Sequence, residues 1–179
     1  MRRLLKGMSF RFLTLDQFPE IPPVRENRST FRENALKKAA EASRHTILPV
    51  IAEDSGLEVR ALGGRPGVRS ARFAGPSQND QANNAKLLEM MKRIPPTRRQ
   101  ARFVCCVAVA IGGREVRTFE GGCSGRIAPS LSGRTGFGYD PLFVPTGFRK
   151  TMAELGPNVK DRISHRAQAA RALKGAWPL

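Results

Sequence analysis

Leu48-Pro49-Val50-Ile51-Ala52-Glu53-Asp54-Ser55-Gly56 passes within one short stretch from an apolar run to two adjacent carboxylates, a hydroxyl and a glycine. The apolar part reads as a buried strand and the acidic part as its carboxyl end, where sites in α/β sheets gather. Helix and strand signals interleave on both sides of it. Thr30-Phe31-Arg32-Glu33 has the pattern of a capping box and opens a helix running to about Ser43. Asp80 to about Arg93 is amphipathic, with Leu87, Leu88 and Met91 on one face, and Gly63 to Gly67 is a loop. Ala101 to Ile111 reads as a buried strand, Gly112-Gly113 as a hairpin turn, and Arg114 to Glu120 as the returning strand. Pro141 to Pro145 is a further short strand, and Ser164 caps a closing helix to about Lys174. The order predicts an α/β fold, a mixed twisted sheet flanked by helices, with residues 1–179 forming a single domain.

Composition narrows the partner to an anion. Lys and Arg number 31 against 15 Asp and Glu, a net charge of +16. Such a field attracts nucleoside triphosphate, nucleic acid and anionic lipid alike. A basic nucleic-acid-binding protein is one reading of that charge, but the chain has one Tyr, one Trp and no RNA-binding motif, and its arginines are scattered. No apolar run approaches the roughly 20 residues of a membrane span, and Met1-Arg2-Arg3-Leu4-Leu5-Lys6 turns charged before a signal peptide could form. A cytoplasmic address, no membrane and no specific nucleic-acid partner are expected. The three cysteines lack metal-ligand spacing, and the neighbours Cys105 and Cys106 fall on opposite faces of a strand, so reduced core thiols are expected.

Three segments carry candidate chemistry. Glu53 and Asp54 suit a hard divalent ion that keeps several waters and touches phosphate, with magnesium the natural candidate; Asp-Ser-Gly is also ordinary turn chemistry. Gly136-Phe137-Gly138-Tyr139-Asp140-Pro141 packs glycines, aromatics and a carboxylate into one turn, a floor for a planar polar ligand or a tight loop with core aromatics. Lys160, His165 and Arg166 place cationic donors just before and at the start of the closing helix, where free N–H groups favour an anion. His45, the other histidine, reads as a cap or surface residue.

Taken together and in this order, the three segments resemble the inosine triphosphate pyrophosphatase family, the dITP/XTP pyrophosphatases, over about Phe31 to Leu173. The resemblance implies two lobes around a nucleotide cleft, a homodimer, and magnesium-dependent hydrolysis of ITP, dITP and XTP to monophosphate and pyrophosphate. It implies that Asp54 is proton acceptor and metal ligand and that Ser55, Phe137, Gly138, Tyr139, Asp140, Lys160, His165 and Arg166 bind substrate. Glu26 matches one of a pair of metal-holding acidic residues, and Glu53 and Lys38 are accessory candidates. Donors from Lys and Arg in the base pocket would accept a 6-keto purine and meet the 6-amino group of adenine donor to donor. Leaving such groups unpaired costs roughly 1–3 kcal/mol each. The family opens with a strand and a Thr/Ser-x-Asn-x-x-Lys phosphate loop that have no match here. Met1 to Leu5 is similar to the tail of the next helix and Phe10 to Leu15 to the next strand, so the chain is expected to be N-terminally truncated relative to the family: either its start is placed too late, or it is a fragment with impaired catalysis, the alternative to an active enzyme.

Overall fold

In the computed structural model, which describes residues 1–177, the acidic stretch lies inside a strand. Strand β1 (Val50–Val59) runs straight through Glu53, Asp54, Ser55 and Gly56. The expected strand end at Ala52 is corrected. Each of these residues pairs with the next strand, Glu53 opposite Val107, Asp54 opposite Cys106, Ser55 opposite Cys105 and Gly56 opposite Val104. The cross-strand ladder overrides the local turn preference of Asp-Ser-Gly.

Strands β2 (Gln100–Ile111) and β3 (Arg114–Ile127) form the predicted hairpin. Gly112 and Gly113 both have positive φ, +57° and +82°, as its two-residue turn requires. Strand β4 (Phe143–Pro145) completes the order β1-β2-β3-β4, and every pairing is antiparallel. The expected mixed sheet is therefore an antiparallel one. The segment from Phe10 to Leu15, read as a strand, does not join it; residues 11–14 lie outside regular structure and Leu15–Gln17 is a 3-10 turn. Its aromatics pack sideways instead, the Phe10 ring lying 4.8 Å from those of both Phe12 and Trp177.

Helices α1 (Phe31–Ala42) and α4 (His165–Gly175) cover opposite faces of the sheet. Ala35 and Ala39 of α1 lie against Val104, Cys106, Ala108 and Ala110, while Ala169, Ala170 and Leu173 of α4 lie against Cys105, Val107 and Val109. Both helices begin where the caps predicted: Glu33 N–H donates to Thr30 Oγ1 at 3.1 Å, and Ala167 N–H donates to Ser164 Oγ at 3.2 Å. A third apolar cluster joins Leu57, Phe103, Tyr139 and Phe143 to Leu87 and Met91 of helix α2 (Asp80–Met91). The cysteines are free and buried, and burial raises their thiols, Cys106 to about 11.

Two features behind the site were not foreseen. Helix α3 (Met152–Ile163) opens with a second capping box, Thr151 and Glu154, but Gly156 at φ +76° and Pro157 interrupt its 3.6-residue period. Lys160 consequently sits on a helix and not in a loop before one. β3 also runs on past Glu120 through Gly121, where an added Cβ would stand 2.1 Å from the carbonyl oxygen of His165 and 2.4 Å from the amide nitrogen of Ala169. Only a bare backbone at Gly121 lets the first turn of α4 rest on the sheet. No helix among the described residues is long and apolar enough to cross a membrane.

Candidate active site

Alternation along β1 sends Asp54 to one face of the sheet and Glu53 and Ser55 to the other. Asp54 is nearly buried against α1. Its Oδ2 accepts from Asn34 Nδ2 and its Oδ1 from Lys38 Nζ, both at 3.1 Å. Lys38 donates onward to Glu26 Oε1 at 2.7 Å, and Arg72 Nη2 stands 3.6 Å from the other Glu26 oxygen. Asn34 and Lys38 are four residues apart on α1, so one helical turn presents both to the same carboxylate. Burial pushes the Asp54 carboxyl above its ordinary value; Lys38 and Asn34 pull it down without overcoming that push.

Two hard-oxygen carboxylates thus converge on one ammonium group. That is a donor set for a cation that needs only one or two protein carboxylates and takes its remaining ligands from water and phosphate. No cluster of three or more His, Cys, Asp or Glu able to cage a metal occurs among the described residues. The arrangement fits magnesium and not a structural zinc.

On the opposite face Arg166 organises the contacts. Its Nε donates to both oxygens of Glu53 at 3.0 Å, and its Nη2 donates to Ser55 Oγ at 2.8 Å. The thiol of Cys105 donates to Glu53 Oε2 at 3.4 Å. Arg166 Cζ lies 5.0 Å and Lys160 Nζ 3.9 Å from the centre of the Phe137 ring, which is 56% exposed. Lys160 also pairs with Asp140 Oδ2, which accepts from Phe137 N–H at 2.9 Å. This inner bond closes the turn, and it needs Gly136, at φ +87°, whose Cβ would lie 2.0 Å from Asp140 Oδ2.

Two residues of this turn are tied into the core. Tyr139 is 3% exposed, and its hydroxyl donates to Ser70 O at 2.8 Å. Asp140 is buried, and its Oδ2 serves the turn and Lys160 instead of standing open. Gly138 is gripped at both its N–H and its C=O by α2. His165 is 4% exposed and lies flat on Phe103, centroids 4.8 Å apart and planes 9° from parallel. Burial, aided by the charges of Arg166 and Lys160, lowers it to about 3, so the ring is neutral, and its Nδ1 has no partner. A buried unpaired nitrogen next in sequence to Arg166 is an open hydrogen-bonding position.

β1 is an edge strand, and no strand among the described residues covers its outer edge. A groove of about 810 Å³ runs along that edge, lined by Val50 to Glu53, Lys38 and the segment Phe10 to Leu15. Sequence reasoning grouped Glu53, Asp54 and Ser55 as one segment, Phe137 to Asp140 as a second and Lys160, His165 and Arg166 as a third; the structure divides the first between two faces, Asp54 with Glu26 and Lys38 on one, and Glu53 and Ser55 with Arg166, Lys160 and Phe137 on the other. Sequence reasoning missed Asn34, Arg72 and Ser70. Of these Asn34 was findable, four residues before Lys38. Ser70 was not: its Oγ accepts from Leu57 N–H at 2.8 Å and donates to Gly67 O, tying β1 to the loop that holds Tyr139.

The Ham1 family model matches residues 1–176. This chain belongs to the Ham1 family. Among Ham1 relatives, a dITP/XTP pyrophosphatase of Geobacillus kaustophilus is 53% identical over 164 residues, 92% of this chain and 80% of that protein. One of Bacillus subtilis is 44% identical over 172 residues, 96% of this chain and 87% of that protein. Among solved Ham1 structures, a HAM1 protein from Coxiella burnetii superposes with a TM-score of 0.88 at 37% identity, covering 97% of this chain and 89% of that one. A nucleoside-triphosphatase / dITP/XTP pyrophosphatase from Mycobacterium abscessus gives 0.80 at 45% identity, covering 99% and 90%.

Proposed function

We propose that this Ham1 protein hydrolyses 6-oxo purine nucleoside triphosphates, ITP, dITP and XTP, between the α and β phosphates, releasing monophosphate and pyrophosphate. The observation that carries the reading is the division of labour along β1. Asp54 faces a cation-binding pair with Glu26, and its neighbour Ser55 faces the Arg166–Phe137 platform.

Asp54 and Glu26 would hold Mg²⁺, which when bound neutralises charge on the phosphates. Asp54 is held at both oxygens, by Asn34 and Lys38, so it cannot rotate away from the reacting water. Burial raises its basicity, which suits it to take that water's proton as oxygen bonds to the α-phosphorus and the bridge to the β-phosphate breaks. Across the strand, Phe137 offers the base a stacking face, and Lys160 and Arg166 offer donors to a 6-keto oxygen. Neutral His165 adds a ring nitrogen able to accept or donate. Phosphoryl chemistry of this kind is mainly positioning and charge neutralisation, which these groups supply. Two lobes closing on the nucleotide and a second copy of the chain as partner belong to the same reading; sedimentation of the purified protein tests the dimer.

The deciding experiment measures pyrophosphate released from ITP, dITP, XTP and ATP with and without Mg²⁺. Release from the 6-oxo nucleotides and little from ATP supports the proposal. No release from any of them, at any magnesium concentration, ends it.

A further inference from the structure

Gly138 presents one peptide N–H and one C=O to a single helix. Its N–H donates to Asp80 Oδ2 at 2.6 Å, and its C=O accepts from Asn84 Nδ2 at 2.8 Å. Asp80 and Asn84 are one turn apart on α2 and bonded to each other, Asn84 Nδ2 also donating to the Asp80 carbonyl at 2.8 Å. Asn84 is 4% exposed, and its Oδ1 has no partner. An amide that leaves its own oxygen unpaired so that its NH₂ serves two carbonyls is oriented by the clasp and not by its surroundings. Asp80 and Asn84 make no hydrogen bond or ion pair with β1, Glu26 or Lys38. The grip falls between two side chains that point opposite ways, Phe137 outward to the cations and Tyr139 inward to Ser70.

We propose that Asp80 and Asn84 are positioning residues for base recognition: by fixing the Gly138 peptide they hold the Phe137 ring at its distance from Lys160 and Arg166. They set which purine is accepted and leave phosphate hydrolysis untouched. This rests on the pyrophosphatase reading above. Loss of the clasp lets the aromatic turn shift against a cation pair that stays in place on α3 and α4. A binding contribution shared by ground state and transition state is then lost, which raises KM and spares kcat.

The test compares kcat and KM for ITP and ATP, with thermal unfolding, in the full chain and in D80A, D80N, D80E and N84A. Asparagine at position 80 keeps an acceptor for Gly138 N–H, whereas glutamate keeps the charge at the helix start but moves the acceptor by one methylene. D80A, D80E and N84A are expected to raise KM for ITP about 10- to 100-fold with kcat within about threefold, and to cut the ITP-over-ATP preference at least about tenfold. D80N stays near the parent. If D80E matches the parent, or the base preference survives in D80A, the acceptor is irrelevant to recognition and the proposal falls. Losses that fall on kcat, or that track the melting temperature across all variants, overturn it equally. A parent protein that releases no pyrophosphate from ITP would instead refute the hydrolase reading itself.

Discussion

Arg166 and Glu53 form a two-oxygen pair, with Arg166 Nε 3.0 Å from each carboxylate oxygen, and the same guanidinium reaches Ser55 Oγ. In the proposed site the first acidic residue of the motif would thus aim an arginine at the Phe137 ring. Replacing Glu53 by Gln keeps an acceptor but removes the charge that fixes Arg166. We expect E53Q to raise KM for ITP roughly tenfold with kcat within a few-fold, the cost of weakening one charge-assisted bond. Steady-state kinetics check this, and a loss confined to kcat would count against it.

Asp54, the proposed base, carries a burial cost. Its carboxyl is raised by burial, so in the folded protein its charged form is disfavoured relative to the unfolded chain. The stability of the parent therefore erodes as pH climbs through that raised value. D54N is expected to lose at least about a hundredfold in kcat. In metal-free buffer with chelator it melts higher than the parent at pH 7, and the gap closes at pH 3. Paired thermal melts at the two pH values measure this.

His165 acts in the opposite direction. Its folded value near 3 lies below the ordinary 6.5, so the unfolded state binds the extra proton and stability drains away as pH falls from about 6.5 toward 3. The slope contributed by one proton is at most about 1.4 kcal/mol per pH unit. Replacement by Gln removes this group from the balance. Urea unfolding of H165Q between pH 6.5 and 4 should show a shallower dependence than the parent.

Phe137 is the exposed ring of the platform and the one that Lys160 and Arg166 both approach. Base stacking on an aromatic contributes about 1–3 kcal/mol by alanine substitution. F137A should raise KM for ITP between about tenfold and a hundredfold and leave the fold intact, because most of the ring is already in solvent. Y139A removes a buried ring and should lower the melting temperature, since truncating buried aromatics costs about 3–5 kcal/mol. Parallel kinetics and melting curves separate the two neighbours.

Legibility in the sequence followed the range of the physics. Caps at Thr30 and Ser164 and the Gly112-Gly113 turn depend on residues a few positions apart, and they were readable. Asp-Ser-Gly was not, because its local preference is for a turn and its strand conformation comes from β2, about fifty residues away. Phe10 to Leu15 has the composition of a strand, but a strand exists only where an edge pairs with it. In the site, the identities of Asp54, Arg166 and Phe137 were visible, whereas the inward turn of Tyr139 and the service of Asp140 to Lys160 required knowing what lay opposite. α3 was hidden by Gly156 and Pro157, which break its period although its opening box is plain.

Consecutive residues Asp54 and Ser55 look out from opposite sides of one ribbon, so in the proposed enzyme hydrolysis and recognition would be keyed to even and odd positions respectively of the same ten-residue strand. Gaining or losing a single residue between Val50 and Asp54 would swap the two roles rather than shift either. For both proposed roles to survive, this ribbon must keep its count of residues.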